Sequence, residues 1–202
     1  MNHRVIAFAA AAVAAALLGS QIITPAPVSA TPREPAAVCT VGGVAVADGE
    51  PLPPDIPVVV SCFASETEAQ EFIQAGAPGD LERLMDGLAV EFRALSTERA
   101  GARASTVTIG KVWTGTSRGG SELIHWGTGS GCHGVTYGFP SLSSSWNDKI
   151  RSAEGFNNCW ASHYADGSYG GGVLTCAPYC ATLGFLAGQS SSIVYRPVGT
   201  FG

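Results

Sequence analysis

Apolar residues change their spacing several times along this chain, and each change predicts a different element. Val5 to Leu18 is an apolar run behind His3 and Arg4, with the small residues Val28, Ser29 and Ala30 after it. That order predicts a secretory signal over residues 1–30 and a mature chain starting at Thr31. The run is shorter than the roughly 20 residues of a membrane span, and no later stretch is apolar enough to be one. Val38 to Val46 and Ile56 to Cys62 are Val-rich stretches around the turn GEPLPPD, a hairpin pattern. Ser65 followed by Glu68 is a capping box that opens a short helix through about Gln74. After Asp80, the positions Leu81, Leu84, Met85, Leu88, Phe92 and Leu95 recur at helical spacing, with Gly87 the weak point of that second helix.

Beyond the small, polar stretch 96–106, read as a linker, helical spacing gives way to short alternating runs: VTIGKVW, ELIHW, GVTYGF, KIRSA, CWASHYA, GVLTCA and SIVYR. β-Branched and aromatic residues alternate there with small or polar ones, and Gly or Ser lies between the runs, so an antiparallel sandwich is expected. Two copies of one pattern lie inside it, 51 residues apart: Trp113 precedes Gly120 by seven residues, and Tyr164 precedes Gly171 by seven. Each copy ends on a distant serine, Ser152 or Ser192. A glycine at that fixed distance suits a tightly folded hairpin needing positive φ, which the aromatic can cover. The serine hydroxyl can bond backbone that the fold leaves unpaired. The expected architecture is an all-β domain over 107–202 made of two Greek keys, preceded by a small α+β module over 31–95.

Charge divides the two parts. Residues 31–105 hold twelve acids and five bases, and residues 106–202 four acids and five bases. The first part repels nucleic acid and the second has no basic stripe, so a nucleic-acid partner is not expected. All six cysteines, Cys39, Cys62, Cys132, Cys159, Cys176 and Cys180, follow the signal, and an even number in an oxidising compartment reads as disulfides. Cys39 with Cys62 is the natural bond of the first part; the other four leave three pairings open, local ones being favoured. Cys159, His163, Cys176 and Cys180 also have a spacing that zinc could use, but thiols outside the cell tend to oxidise instead.

Trp113 with Gly120, Tyr164 with Tyr169 and Gly171, and SWNDKIRS from Ser145 to Ser152 resemble the paired motifs of the βγ-crystallins. More narrowly, Trp113 to Pro197 resembles secreted bacterial crystallin-like proteins, among them small metalloproteinase inhibitors of that fold. The resemblance covers about half of the mature chain and leaves the N-terminal module outside. It implies a βγ-crystallin-like sandwich and a calcium loop per repeat, of the form N/D, N/D, two variable residues, S/T, S. The first loop here has Asn147, Asp148 and Ser152 but Arg151 at its fifth position; the second keeps Ser191 and Ser192 but begins with Ala187 and Gly188. Calcium wants six to eight oxygens including carboxylates, so these degenerate loops predict weak or absent calcium binding, and no other cofactor is expected.

Catalysis finds little support in the sequence. Gly115-Thr116-Ser117-Arg118-Gly119 has nucleophile-elbow spacing but falls in a Gly-rich hairpin, where such an elbow does not belong. His125, His133 and His163 lack a placed partner, and Glu122 and Glu154 form no recognisable acid/base pair. The four tryptophans suit a core, and a sugar-binding surface is the lesser reading. The expectation is a secreted, non-enzymatic protein. As implied by the resemblance, it is a protein-binding module that inhibits a secreted peptidase, with SRGGSEL and GTGSGCHG as candidate binding edges. The alternative is a structural, envelope-associated or antimicrobial protein, and the acidic module could mask the sandwich until cleaved.

Overall fold

The computed structural model describes residues 38–88 and 105–202. The expected signal, the helical positions Phe92 and Leu95, and most of the expected linker lie outside the described residues. The elements in chain order are β1 (Val38–Gly43), β2 (Ala45–Ala47), β3 (Val60–Phe63), α1 (Glu66–Gln74), α2 (Asp80–Asp86) and β4 (Thr106–Trp113). They continue with β5 (Glu122–Thr128), β6 (Val135–Phe139), β7 (Ser152–Gly155), β8 (Cys159–Tyr164), β9 (Val173–Cys176), β10 (Tyr179–Cys180) and β11 (Ser192–Pro197).

Two sheets stack face to face, ordered β10-β7-β4-β5-β1-β3 and β2-β6-β11-β8-β9. Strands β4 to β7 form one repeat and β8 to β11 the other. Each repeat sends its third strand across: β6 pairs with β11, and β10 with β7. Neither repeat can therefore complete a sheet alone, and the two Greek keys fold as a pair. The run KIRSA is strand only from Ser152 onward, since residues 149–151 stand in the turn before it. β10, two residues long, is too short for alternation to reveal.

The Val-rich segments do form a hairpin, β1 against β3, with Cys39 directly opposite Cys62 and bonded to it. The hairpin is woven into the sandwich: β1 lies parallel to β5, with Cys39 beside Leu123 and Val41 beside His125, and β2 extends the second sheet along β6. A parallel pair needs a long crossover connection, which the segment between β1 and β5 supplies.

Side-chain alternation on β5 then makes two cores. Leu123 points between the sheets, to Ile109, Val112, Tyr137, Ile150, Ile193 and Tyr195, all at most 2% exposed. Ile124 and Trp126 point the opposite way, where Ile73 of α1 and Leu84 of α2 cover them, and both are 0% exposed. α1 is started by Ser65, whose hydroxyl accepts from the Glu68 N–H at 3.3 Å, while the Glu68 carboxylate reaches back to the Ala64 N–H at 3.0 Å. Thr106 at the start of β4 donates its hydroxyl to the Ile73 carbonyl, fixing the end of α1 on the sheet. The Glu66 carboxylate pairs with the Lys111 ammonium, which also lies 3.1 Å from Glu122. Burial alone pulls Lys111 down, yet its bonds to Glu66 and Glu122 outweigh that and hold it above the usual lysine value.

Candidate binding surfaces

The two repeats build the same folded hairpin, bond for bond. In the first, Thr114 N–H donates to Ser121 O at 3.1 Å and Gly115 N–H to Gly119 O at 2.7 Å; in the second, Ala165 donates to Gly172 at 2.9 Å and Asp166 to Gly170 at 3.1 Å. Ser117, Arg118 and Gly120 have positive φ, as do Ser168, Tyr169 and Gly171 at the matching positions. Folding leaves a carbonyl and an N–H without partners in each hairpin, and the distant serine meets both. Ser152 Oγ donates to Gly115 O at 2.7 Å and accepts from Arg118 N at 3.1 Å. Ser192 Oγ donates to Asp166 O at 2.6 Å and accepts from Tyr169 N at 3.0 Å. Both serines are fully buried, so each bond replaces water that is not there. The Trp113 indole N–H donates to Glu122 at 3.2 Å, and Tyr164 packs edge-on against Tyr169 of its hairpin at 6.0 Å.

The degenerate calcium loops lie side by side. Asp148 N–H donates to Ser190 O at 3.1 Å and Gly188 N–H donates back to Ile150 O at 2.7 Å, a reciprocal pair relating the two loops. Both Asp148 oxygens have partners within the loops: Ser191 Oγ at 3.4 Å and the Asn147 amide at 2.8 Å. A Cβ on Gly188 would stand 3.7 Å from the Arg151 guanidinium, so a positive charge flanks the place where an ion would sit.

The candidate binding edges differ. In SRGGSEL, Arg118 is committed to a two-pronged pair with Glu154 at 2.7 and 2.8 Å and covers the Tyr179 ring at 4.0 Å. GTGSGCHG is tied by the Cys132–Cys159 disulfide and borders a cavity of 170 Å³ beside Tyr137 and the exposed His133. Cys176 pairs with Cys180, so all six cysteines form disulfides and the four-residue zinc arrangement is replaced by sulfur bonds.

Among the described residues no hydrogen bond joins Ser117 to His125, His133 or His163. Ser117 sits in the folded hairpin with its N–H on Ala181 O at 2.8 Å. His125 and His163 are buried between the sheets, His125 Nδ1 3.1 Å from the Tyr195 hydroxyl and His163 Nδ1 3.0 Å from Ser190 Oγ. Burial drives both imidazoles down to about 3, so they are neutral at any ordinary pH.

Two features escape the sequence. The 3-10 turn Gly184–Leu186 holds Phe185 out, 62% exposed, between Leu183 and Leu186, which are 0% and 1% exposed. Its ring rests on Gly172, where a Cβ would come within 3.2 Å, and Val173 nearby is 36% exposed. The signal was available in the 40-residue offset between Ser152 and Ser192, which places Leu186 opposite Trp146 and Phe185 opposite Ser145. The second feature is a cleft of 610 Å³ between the β1–β3 disulfide and the loops carrying Thr114, Ser121, Ser145 and Trp146.

No protein-family model and no curated protein sequence matches this chain. Among solved structures it is similar to the N-terminal domain of protein S, at 17% identity and TM-score 0.36, over 46% of this chain and 99% of that one. It is similar to a betagamma-crystallin domain from Flavobacterium johnsoniae at 22% identity and TM-score 0.35, over 46% and 99%. A structure titled for the evolution of the eye lens beta-gamma-crystallin domain fold aligns at 16% identity and TM-score 0.35, over 45% and 86%. The fold rests on the chain's own pairing. Two exchanged Greek keys, each with a serine-closed hairpin, are the βγ-crystallin-like sandwich that the sequence motifs imply.

Proposed function

We propose that this is an exported, non-catalytic protein-binding domain that presents Phe185 to a partner, and that the partner is a secreted metallopeptidase which it inhibits. The observation that supports binding is an exposed aromatic pinned between two buried leucines, with the Gly184 N–H on Thr182 Oγ1 at 3.2 Å and the Leu186 N–H on Leu183 O at 2.9 Å. A backbone so fixed loses little entropy on docking, and aromatic anchors carry much of the energy of protein interfaces. The peptidase as partner comes from the sequence resemblance. Three disulfides suit an oxidising location, and no helix among the described residues is long and apolar enough to cross a membrane.

A panel of secreted metallopeptidases tests this reading. Inhibition at micromolar protein is expected, and Phe185→Ala should weaken it by about thirtyfold, an anchor's worth of about 2 kcal/mol. Wild-type protein that inhibits none of them would return the structural, envelope-associated or antimicrobial reading to first place. Inhibition untouched by Phe185→Ala would move the binding surface elsewhere.

A further inference from the structure

The 610 Å³ cleft exists because the N-terminal strands stand beside the first repeat. Its floor is the Cys39–Cys62 bridge with Val60, and its far wall is the turn carrying Ser143, Ser145, Trp146 and Lys149. Its volume falls within the range of about 300–1,000 Å³ typical of small-ligand sites. In the matching turn of the second repeat Phe185 is exposed, and no added strands stand there among the described residues.

Hydroxyls dominate the polar part of that lining. Thr114 Oγ1 accepts from the Ser121 N–H at 3.0 Å and keeps its own proton to give. Ser121, Ser143 and Ser145 line the cleft, and their hydroxyls, able to give and to accept, make no hydrogen bond to other described residues. Among the described residues Lys149 is the one charged side chain in the wall; its ammonium spends one proton on Ser144 O at 3.2 Å and has two left. Among the described residues no carboxylate lines the cleft, and Glu122 next to Ser121 is engaged by Lys111 and by the Trp113 indole. Four hydroxyl-bearing residues in the lining, each able to give and accept, match a polyol, and the Lys149 ammonium adds a place for one negative group. A phosphate would call for a cluster of N–H donors or a guanidinium fork, and no arginine is among the described residues of the lining.

We infer that this cleft binds an acidic saccharide unit, a sugar ring carrying a carboxylate, with the carboxylate on Lys149 and the ring hydroxyls on Ser143, Ser145 and Thr114. The site belongs to the first repeat and Phe185 to the second, so this inference stands or falls apart from peptidase inhibition.

The test is titration of the full mature chain with trigalacturonate, with maltotriose as the uncharged control and inorganic phosphate as the anion control. Intrinsic tryptophan fluorescence and calorimetry both report it, Trp146 being in the wall. Saturable binding of trigalacturonate with a Kd on the order of 1 mM or tighter is expected. Lys149→Met should weaken it about tenfold, the size of one charge-assisted hydrogen bond, and Ser145→Ala should weaken it less. Both side chains are exposed, so the variants should keep the wild-type Tm, which is measured alongside. No saturable binding would overturn the inference. So would equal binding of maltotriose, competition by phosphate alone, or binding unchanged in both variants at wild-type Tm.

Discussion

Tyr195 stands in the middle of the inter-sheet space, fully buried, its ring against Phe139 and His125 and its hydroxyl on His125 Nδ1 at 3.1 Å. Gly110 makes room for it, since a Cβ there would stand 1.9 Å from the ring, and β4 shifts register beside that glycine. The same space holds His163, bonded to Ser190, so two imidazoles share an apolar interior and neither is ionised. Their pKa values of about 3 in the fold lie below the ordinary 6.5. Between those values the unfolded chain binds protons that the folded one does not, so stability is full above about pH 6.5 and falls as the pH drops toward 3. Each histidine contributes a slope of up to about 1.4 kcal/mol per pH unit in that window. Urea denaturation at a series of pH values from 7 to 4 measures it. His163→Gln should remove about half of the histidine-linked slope, whatever it does to stability at pH 7. A slope equal to wild type would show that His163 is not the neutral buried base described.

At the scale of elements, Ser152 and Ser192 each bridge one hairpin's orphaned carbonyl and N–H, linking it to a strand of its own repeat far along the chain. Ser192→Ala or Ser152→Ala should each cost about 1–3 kcal/mol, because two buried backbone groups lose their partner at once. Chemical denaturation checks this; a loss below about 0.5 kcal/mol would mean water enters and replaces the hydroxyl. These hairpins are legible from sequence because their geometry demands particular residues at fixed spacing: glycine where φ is positive, an aromatic to cover, a small hydroxyl to reach inward. The partner of a strand is not legible in this way. The Val-rich alternation of residues 38–46 predicts a strand, but β1 chooses the edge of β5 through contacts far along the chain, and nothing local encodes it. Calcium loops fall between these cases. Their ligand positions can be read directly, and with Arg151 beside Gly188 and both Asp148 oxygens bonded, calcium at up to about 1 mM should release little heat and leave the Tm within about 1 °C. Micromolar affinity by calorimetry would refute this.

For the whole molecule, the question is whether the N-terminal segment can be removed. A masking pro-region must leave a folded sandwich behind when cleaved. Here α1 and α2 cover Trp126 and Ile124, both 0% exposed, and β1 and β2 occupy the edges of β5 and β6. Removing residues 31–105 would bare that apolar face, worth several kcal/mol at about 25 cal/mol per Å², and open two strand edges to pairing with other chains. It would also break the bonds that tie Lys111 to Glu66 and Thr106 to the Ile73 carbonyl. Residues 106–202 expressed alone should bind a hydrophobic dye and associate, as seen by fluorescence and size-exclusion chromatography, whereas residues 31–202 should stay monomeric and dye-free. If the shortened chain is a stable, dye-free monomer, the cap is dispensable and cleavage could unmask a working sandwich. The expected association would instead make the acidic segment a structural third layer, kept for the life of the protein.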